Sequence, residues 1–318
     1  MTLLLALLAA LAGAPLPEIP LTPREGVLRF AVAGDTGSGA EVVAKGIARV
    51  HKAGPLAAIL LTGDNFYPCG VTSETDPRWS INRPLTRIGI PVFPVLGNHD
   101  AACGKADPDA QIRATGVIPN WYFPARQYAI RGGVADFAFV ETTGYARGRG
   151  DAPETAIRQT FAASRAPWRV VVGHHPVISS GWHGYFPRDE VSRMRELIPL
   201  LRETRVDFYI CGHDHHMELI RGRMLHLVSG AGSDPIPALK LRARTIYPAE
   251  VRREKIGFAV VEITVKEIRV RMYDGEGRPQ SEWIPYRHPR LPAKQPTSPR
   301  TSPAPSRTTS SPSSPRRD

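Results

Sequence analysis

Cysteine is scarce in this sequence, with three residues among 318. That number is too small for a disulfide-rich scaffold, and the spacing of Cys69, Cys103 and Cys211 matches no zinc-finger pattern. Cys69 and Cys103 each lie a few residues past one of the polar motifs described below, whereas Cys211 lies inside the apolar FYICG. If the two motif loops converge, Cys69 and Cys103 can form a disulfide in an oxidising compartment, and otherwise they are two ordinary thiols.

The apolar run at the N-terminus is too short to span a bilayer. LLLALLAALAGA has about a dozen residues and ends in Ala12-Gly13-Ala14, a small-x-small pattern typical of a cleavage site. We therefore predict a signal peptide at residues 1–14, export to the periplasm or the extracellular space, and no stable membrane association after its removal. Because no Lys or Arg precedes the run, a misassigned start and a lipid-associated anchor stay open as alternatives.

Acidic residues are fewer than basic ones, 30 against 41, which gives a net charge of +11. Much of this excess lies in residues 288–318, where six Lys and Arg against one Asp contribute +5. This tail is rich in Pro, Ser and Thr and has almost nothing apolar to bury, so we expect it to be disordered. Without aromatic side chains for stacking it offers nucleic acid only a weak, salt-sensitive attraction, and no specific nucleic-acid partner is expected.

Short strand-like runs end repeatedly in Gly followed by Asp, Asn or His. The five runs are VLRFAVAGD, LAAILLTGD, IPVFPVLGNHD, WRVVVGHHP and VDFYICGHDHH. Stretches with helical periodicity, such as GAEVVAKGIARVHKAG and RDEVSRMRELIPLLRETR, lie between several of them. This alternation predicts a layered α/β fold with a largely parallel core, in which ligands bind outside the carboxyl ends of the strands.

Candidate metal ligands follow all five strands. They are Asp35, Asp64, Asn98, His99, His174, His213 and His215. Any single one can be a helix cap or a turn residue, but five loops in register are hard to explain that way. Carboxylates, an amide oxygen and imidazoles without a thiolate favour iron, zinc or manganese. The ligands are too numerous for one ion, so the sequence predicts a two-metal site with a bridging carboxylate.

The ordered motifs GDTG, GDNFY, GNHD, VVGH and GHDH resemble those of the calcineurin-like metallophosphoesterases, and more narrowly of the purple acid phosphatases. Tyr67, three residues after Asp64, separates the purple group from its relatives, and GDNFYPCGV and GHHPVISSGWHG resemble its small tartrate-resistant type. The resemblance runs from about residue 28 to 275. It implies a catalytic domain at residues 28–287, after a linker at 15–27, built as a four-layer αββα sandwich with mixed β-sheets and a dinuclear metal site at the C-terminal strand ends.

The resemblance also implies which side chains bind two metal ions. Fe(III) is expected to bind Asp35, Tyr67 and His215. A divalent Fe, Zn or Mn is expected to bind Asn98, His174 and His213. Asp64 is expected to bridge the two ions.

Other polar residues of the motifs have expected roles near the metals. His99 and His183 occupy positions that resemble the family's substrate-facing histidines, which donate a proton to the leaving group and neutralise the phosphate. We expect Asp100 to hold His99 in place and Asp214 to orient a ligand imidazole. His216 has no role in this scheme, and we expect its side chain to be exposed to solvent.

The function implied is hydrolysis of small phosphate monoesters, as an acid phosphatase, by a metal-bound hydroxide at an Fe(III)–M(II) centre. The alternative is a broader metallophosphoesterase acting on phosphodiesters or nucleotides, against which Tyr67 argues. Radical chemistry at a mixed-valence iron pair is expected only as a side activity, and a monomer is expected.

Two features depart from the subgroup, His175 and the Arg- and Gly-rich loop at residues 142–154 with Arg147 and Arg149. Each either adds a phosphate contact or lies at the surface.

Overall fold

The computed structural model describes residues 15–149, 152–185, 190–236, 244–247 and 255–287. The predicted signal peptide at 1–14 and the predicted tail at 288–318 lie outside these residues. Within the described ranges, no helix combines the length and the apolar character needed to cross a membrane.

Two mixed β-sheets form the centre of the fold. Their strands are β1 Glu18–Pro20, β2 Leu28–Ala33, β3 Ala58–Leu61, β4 Val92–Pro94, β5 Gln127–Arg131, β6 Ala135–Val140, β7 Trp168–Val172, β8 Phe208–Cys211, β9 Met217–Arg221, β10 Leu225–Ser229, β11 Thr245–Tyr247, β12 Gly257–Ile263, β13 Glu267–Asp274 and β14 Ile284–Arg287. One sheet has the strand order β1-β5-β6-β7-β8-β10-β9-β11 and the other β14-β13-β12-β2-β3-β4. Each sheet contains a set of neighbouring parallel strands, β6-β7-β8-β10 in one and β2-β3-β4 in the other. The five motifs follow β2, β3, β4, β7 and β8.

Helices cover the outer faces of the sheets. The described α-helices are α1 Ala40–Ala53, α2 Arg83–Thr86, α3 Asp109–Arg113, α4 Thr143–Ala146, α5 Ala152–Ala162, α6 Trp182–Tyr185, α7 Glu190–Met194 and α8 Ile198–Glu203. Helix α1 packs against β12 and β13, because its buried Val43, Ile47 and Val50 recur at intervals of four and three residues and therefore share one face.

Alternate side chains of the eight-stranded sheet face two different layers. Phe137 of β6 points toward the six-stranded sheet and meets the ring of Phe30 of β2 edge-on, with ring centroids 5.6 Å apart. Its neighbour Ala138 belongs to a second apolar cluster with Ile157 of α5 and Leu201 of α8. Because successive residues of a strand face opposite sides, the order of layers is helix, sheet, sheet, helix. The predicted αββα sandwich with mixed sheets is confirmed.

The carboxyl ends of parallel strands from both sheets meet at one edge. His213 lies two residues after β8, and its backbone N–H donates to Oδ2 of Asp35, two residues after β2 in the other sheet, at 2.9 Å. The backbone N–H of Asp35 donates in turn to the carbonyl of Gly63 after β3. The backbone N–H of Gly212 donates to the carbonyl of His174 after β7, and the backbone N–H of His99 after β4 donates to Oδ1 of Asp64, so the five motif loops converge on the position predicted from the sequence.

Candidate metal centre and active site

Three polar side chains at this edge come from residues in the left-handed backbone region. Asp35, Asp64 and His213 have φ angles of 55°, 50° and 69°. Each non-glycine residue in this region costs about 1 to 3 kcal/mol, so the surrounding structure must impose the conformation. The glycines of the motifs allow close approach: a Cβ on Gly97 would lie 2.1 Å from Oδ1 of Asp64, and one on Gly212 would lie 2.4 Å from Oδ2 of Asp35. Glycine is therefore needed at positions 97 and 212, because a side chain at either position would collide with a carboxylate of the cluster.

The phenol of Tyr67 joins three of the predicted ligands. Its oxygen lies 2.8 Å from Oδ2 of Asp64, 3.2 Å from Oδ1 of Asp35 and 3.1 Å from Nε2 of His215. Nδ1 of His215 is 3.2 Å from the carbonyl oxygen of Asp234. A carbonyl only accepts, so this nitrogen carries the proton and Nε2 of a neutral ring keeps its lone pair toward the cluster. Burial and the neighbouring carboxylates raise the pKa of Tyr67.

Imidazoles and an amide form the other half of the cluster. Nε2 of His174 lies 3.0 Å from Oδ1 of Asn98, 3.2 Å from Nδ1 of His213 and 3.5 Å from Oδ2 of Asp64. Nδ1 of His174 is 2.8 Å from the carbonyl oxygen of Thr62, which fixes the proton on Nδ1 and points the Nε2 lone pair at the cluster. Asp64 therefore contacts both halves.

The donor set fits a site for cations. Potential ligand atoms of Asp35, Asp64 and His174 lie within 4.8 Å of one another, as do those of His174, His175 and His213. Burial, and then the charge of Asp64, raise the pKa of Asp35 well above its usual range. Burial lowers the pKa of His174 to about 4, although Asp64 opposes this. Neutral imidazoles beside crowded, buried carboxylates are the arrangement that a bound cation stabilises.

His99 lies beside this cluster, against the ring of Tyr67 at a centroid distance of 4.4 Å. Its backbone N–H donates to Oδ1 of Asp64 at 2.8 Å, and its Nδ1 is 2.9 Å from the carbonyl oxygen of Pro68. Since that carbonyl only accepts, Nδ1 carries a proton and Nε2 is the atom that can exchange one.

Asp100 is buried and bonds to the loops around it. Its carboxylate accepts from the backbone N–H groups of Gly97 at 2.8 Å and Asn65 at 3.1 Å, and from Nε2 of Gln111 at 2.9 Å. Burial and Asp64 raise the pKa of Asp100 to about 7. We expected Asp100 to hold the His99 imidazole, but it fixes the two loops that carry Asp64 and the GNHD motif.

His183 contacts the cluster through His213, and the centroids of the two imidazole rings are 4.1 Å apart. The half-buried His183 belongs to α6, and its backbone N–H donates to Oδ1 of Asp214 at 3.0 Å. Asp214 is buried. Its predicted role was to orient a ligand imidazole, whereas the described contact anchors the His183 segment.

The expectation of an exposed His216 is wrong. Its side chain is 1% exposed, with Nε2 3.2 Å from Oε2 of Glu218, which is itself fully buried on β9. A carboxylate in the interior needs partners, and His216 is one of them. Glu218 was missed by the sequence analysis, although one charged residue inside the apolar MELI is a signal of a buried polar contact.

His175 and the arginine-rich loop differ in their surroundings. His175 is fully buried, with Nδ1 2.9 Å from Oγ1 of Thr142 and its ring 4.3 Å from that of His213. The possibility that His175 lies at the surface is therefore wrong. Arg147 and Arg149 are exposed.

Cys69 and Cys103 form a disulfide. The bond closes a segment of 34 residues and links the loop after Tyr67 to the loop after Asp100. Cys211 is a buried free thiol. The motif loops do converge, which was the condition for this pairing, and an oxidising compartment agrees with the bond.

A family model and curated relatives both match most of this chain and agree on one family. The family model described as calcineurin-like phosphoesterase matches residues 28–217. Tartrate-resistant acid phosphatase type 5 from Sus scrofa is 30% identical over 79% of this chain and 85% of its own length. Purple acid phosphatase 3 from Arabidopsis thaliana is 28% identical, covering 81% of this chain and 78% of the relative.

Two solved structures share the fold. The Plasmodium protein described as GAP50, the anchor in the inner membrane complex, has a TM-score of 0.64 at 26% identity and covers 83% of this chain and 88% of that one. Purple acid phosphatase PPD1 from yellow lupin seeds has a TM-score of 0.63 at 17% identity, over 81% of this chain and 54% of that one.

Proposed function

We propose, from the premise that this chain belongs to the calcineurin-like phosphoesterase family and within it to the purple acid phosphatases, that it hydrolyses small phosphate monoesters at a dinuclear metal centre. The relatives named above are acid phosphatases, and this chain is an enzyme of that class. The observation that carries the proposal is the position of the Tyr67 oxygen, within 3.2 Å of Asp35, Asp64 and His215.

The two halves of the cluster would each hold one ion. Asp35, Tyr67 and His215 would hold Fe(III), since carboxylate and phenolate oxygens suit a hard trivalent ion. Asn98, His174 and His213 would hold a divalent iron, zinc or manganese, for which imidazoles are good ligands. Asp64 would bridge the ions, which its contacts with Tyr67 and His174 support. When bound, the ions supply an acidified water and offset the charge of the phosphoryl group.

The protein's own side chains supply the proton for the leaving group. His99 and His183 flank different parts of the cluster, His99 against Tyr67 and His183 against His213. An imidazolium donates a proton in the acidic range and attracts an anionic substrate. Pro68 fixes one nitrogen of His99 as the donor to its carbonyl, which leaves Nε2 for the substrate. Asp100 acts here as a positioning residue for the loops.

The disulfide and the N-terminal sequence both favour export from the cytoplasm. The disulfide between Cys69 and Cys103 persists in oxidising surroundings, and the sequence begins with a run that resembles a signal peptide. The expected partners are small phosphorylated molecules rather than nucleic acids or a membrane.

A substrate panel with metal analysis tests the function. The purified mature protein is expected to hydrolyse p-nitrophenyl phosphate best at mildly acidic pH, to contain two metal equivalents per chain, and to lose activity when a chelator removes them. Equal turnover of bis-p-nitrophenyl phosphate would favour the broader phosphodiesterase instead. Full activity of a metal-free preparation would contradict the proposal altogether.

A further inference from the structure

A buried carboxylate lies under the segment that carries His183. Both oxygens of Glu218 accept hydrogen bonds: Oε1 from Oγ of Ser180 at 2.5 Å and from Oγ1 of Thr245 at 2.6 Å, and Oε2 from the backbone N–H of Ser180 at 2.9 Å. Nε2 of His216 lies 3.2 Å from Oε2. Ser180 is thus held at two points, its hydroxyl and its backbone N–H, by one carboxylate that is fully buried.

Ser180 stands three positions before His183. The backbone N–H of His183 donates to Asp214, and the backbone N–H of Gly181 donates to Oγ of Ser179 at 3.0 Å. The segment 180–183, which leads into α6, is therefore attached at both of its ends to the segment 214–218, at Ser180 through Glu218 and at His183 through Asp214. The same segment contains the predicted ligand His215 and follows directly on His213.

Burying a charged carboxylate costs several kcal/mol unless its lone pairs are satisfied, so its partners have to stay in place. Burial by itself raises the pKa of Glu218, but the hydrogen bonds and charge of His216 and the hydroxyl donors lower it to about 2. The carboxylate stays ionised in acid, and four donors hold it. A group of this kind fixes geometry more strictly than apolar packing does.

We propose that Glu218 is a positioning residue for proton transfer, which fixes the turn at residues 180–183 so that His183 faces the leaving oxygen of the substrate. The inference rests on the proposed function and concerns the same site. In the reaction, water supplies the oxygen that bonds to phosphorus and the ester P–O bond breaks. The proton of the His183 imidazolium passes to the departing alcohol oxygen, and solvent returns a proton to the ring.

Leaving groups of different basicity separate this role from a general structural one. A proton donor matters greatly for glycerol phosphate, whose alkoxide is a poor leaving group, and little for p-nitrophenyl phosphate, whose phenolate leaves without help. Glu218→Gln keeps the shape but replaces one of the two acceptor oxygens by an NH2 donor, and since Ser180 donates to both oxygens, one of its hydrogen bonds is lost in either orientation of the amide. We expect kcat for glycerol phosphate to fall by about 10- to 100-fold, the range for a misplaced catalytic group, with a much smaller change for p-nitrophenyl phosphate.

The test compares both substrates in four variants of the metal-loaded protein. Ser180→Ala removes one donor of the turn and is expected to give the same selective loss, only smaller, which keeps the test valid if Glu218→Gln does not fold. Thr245→Val removes a donor that lies outside the turn, so it is expected to leave the ratio of the two rates near that of wild type. Glu267→Gln, at the half-buried first residue of β13 and far along the chain from the motifs, is the matched Glu-to-Gln control.

A double mutant decides whether the effect passes through His183. In a His183→Ala background, Glu218→Gln is expected to cause no further drop in the ratio of the rates, and metal content is expected to stay at two equivalents. An equal loss on both substrates, or a Glu218→Gln effect that persists without His183, would overturn the positioning role. Wild-type protein with no phosphatase activity would instead overturn the proposed function, so the two failures are distinguishable.

Discussion

The phenolic oxygen of Tyr67 lies 3.1 Å from Nε2 of His215, although 148 positions separate the two residues in the chain. One follows β3 of the six-stranded sheet and the other follows β8 of the eight-stranded sheet. Their contact depends on how the two sheets are packed, because neither loop alone can bring a phenol and an imidazole together. The same contact defines the half of the cluster that would bind Fe(III).

Tyr67→Phe tests this half of the cluster. Phenolate bound to Fe(III) absorbs visible light by ligand-to-metal charge transfer, and metal coordination deprotonates ligands that are otherwise weak acids. We expect iron-loaded wild type to be coloured and the variant to be folded, colourless and partly active, because the ring and the remaining ligands are kept. Absorption spectra of both proteins at matched iron content measure this. A visible band that survives the substitution would remove Tyr67 from the metal site.

Asp64→Ala is expected to be the most damaging ligand change. Asp64 contacts Tyr67 in one half of the cluster and His174 in the other, so its loss weakens both ion sites at once. Activity should fall by more than about 100-fold, which exceeds the loss typical of an outer partner of a metal ligand. Metal analysis should find fewer than two equivalents. Asp35→Ala is the comparison, since it should affect one ion only; a variant of Asp64 that retains both ions would disprove the bridge.

The strand ends, and the meeting of the polar residues that follow them at one edge, could be predicted from the sequence because both follow from local patterns, whereas Tyr67 entered only through the family resemblance. A β-rich run closed by Gly and a polar residue fixes where Asp35, Asp64 and His213 lie, and parallel strands place such residues at one edge. The partners of buried polar groups could not be predicted in this way. His216 directly follows the GHDH motif, but its partner in the interior is Glu218. Glu218 accepts in turn from Ser180 and from Thr245, which reaches this site from another strand.

Asp100 and Asp214 show the same limit. Both stand next to a predicted functional histidine in the sequence, which suggested that each carboxylate contacts an imidazole. In the fold, Asp100 accepts from Gly97, Asn65 and Gln111, and Asp214 accepts from the backbone of His183. Backbone N–H groups of tight loops compete for nearby carboxylates, and sequence adjacency does not reveal which donor is satisfied.

Removing the disulfide is expected to lower stability. Cys69 and Cys103 close a segment of 34 residues, for which the loss of chain entropy in the unfolded state amounts to about 4 kcal/mol, and less if the unfolded chain keeps structure. The double variant Cys69→Ser and Cys103→Ser should therefore unfold at lower temperature than wild type. Cys211→Ser is unsuitable as the control because this thiol is buried, so reduced wild type serves instead. An unchanged melting temperature would show that the bond adds nothing to stability.

The contribution of Glu218 to stability is expected to depend on pH. Its folded-state pKa of about 2 lies below the ordinary value of 4.5, which corresponds to roughly 3 kcal/mol in favour of the folded state. Because the folded pKa is depressed, this contribution is complete above the unfolded value and is lost as pH falls from about 4.5 toward about 2. The difference in free energy of unfolding between wild type and Glu218→Gln should therefore be largest near pH 6 and shrink in this acid range. Denaturant titrations across the range, with both proteins in the same metal state and Glu267→Gln alongside, measure it. A difference that stays constant down to about pH 2 would mean that the Glu218 carboxylate contributes through its shape alone, and not through the charge that its four donors hold in place.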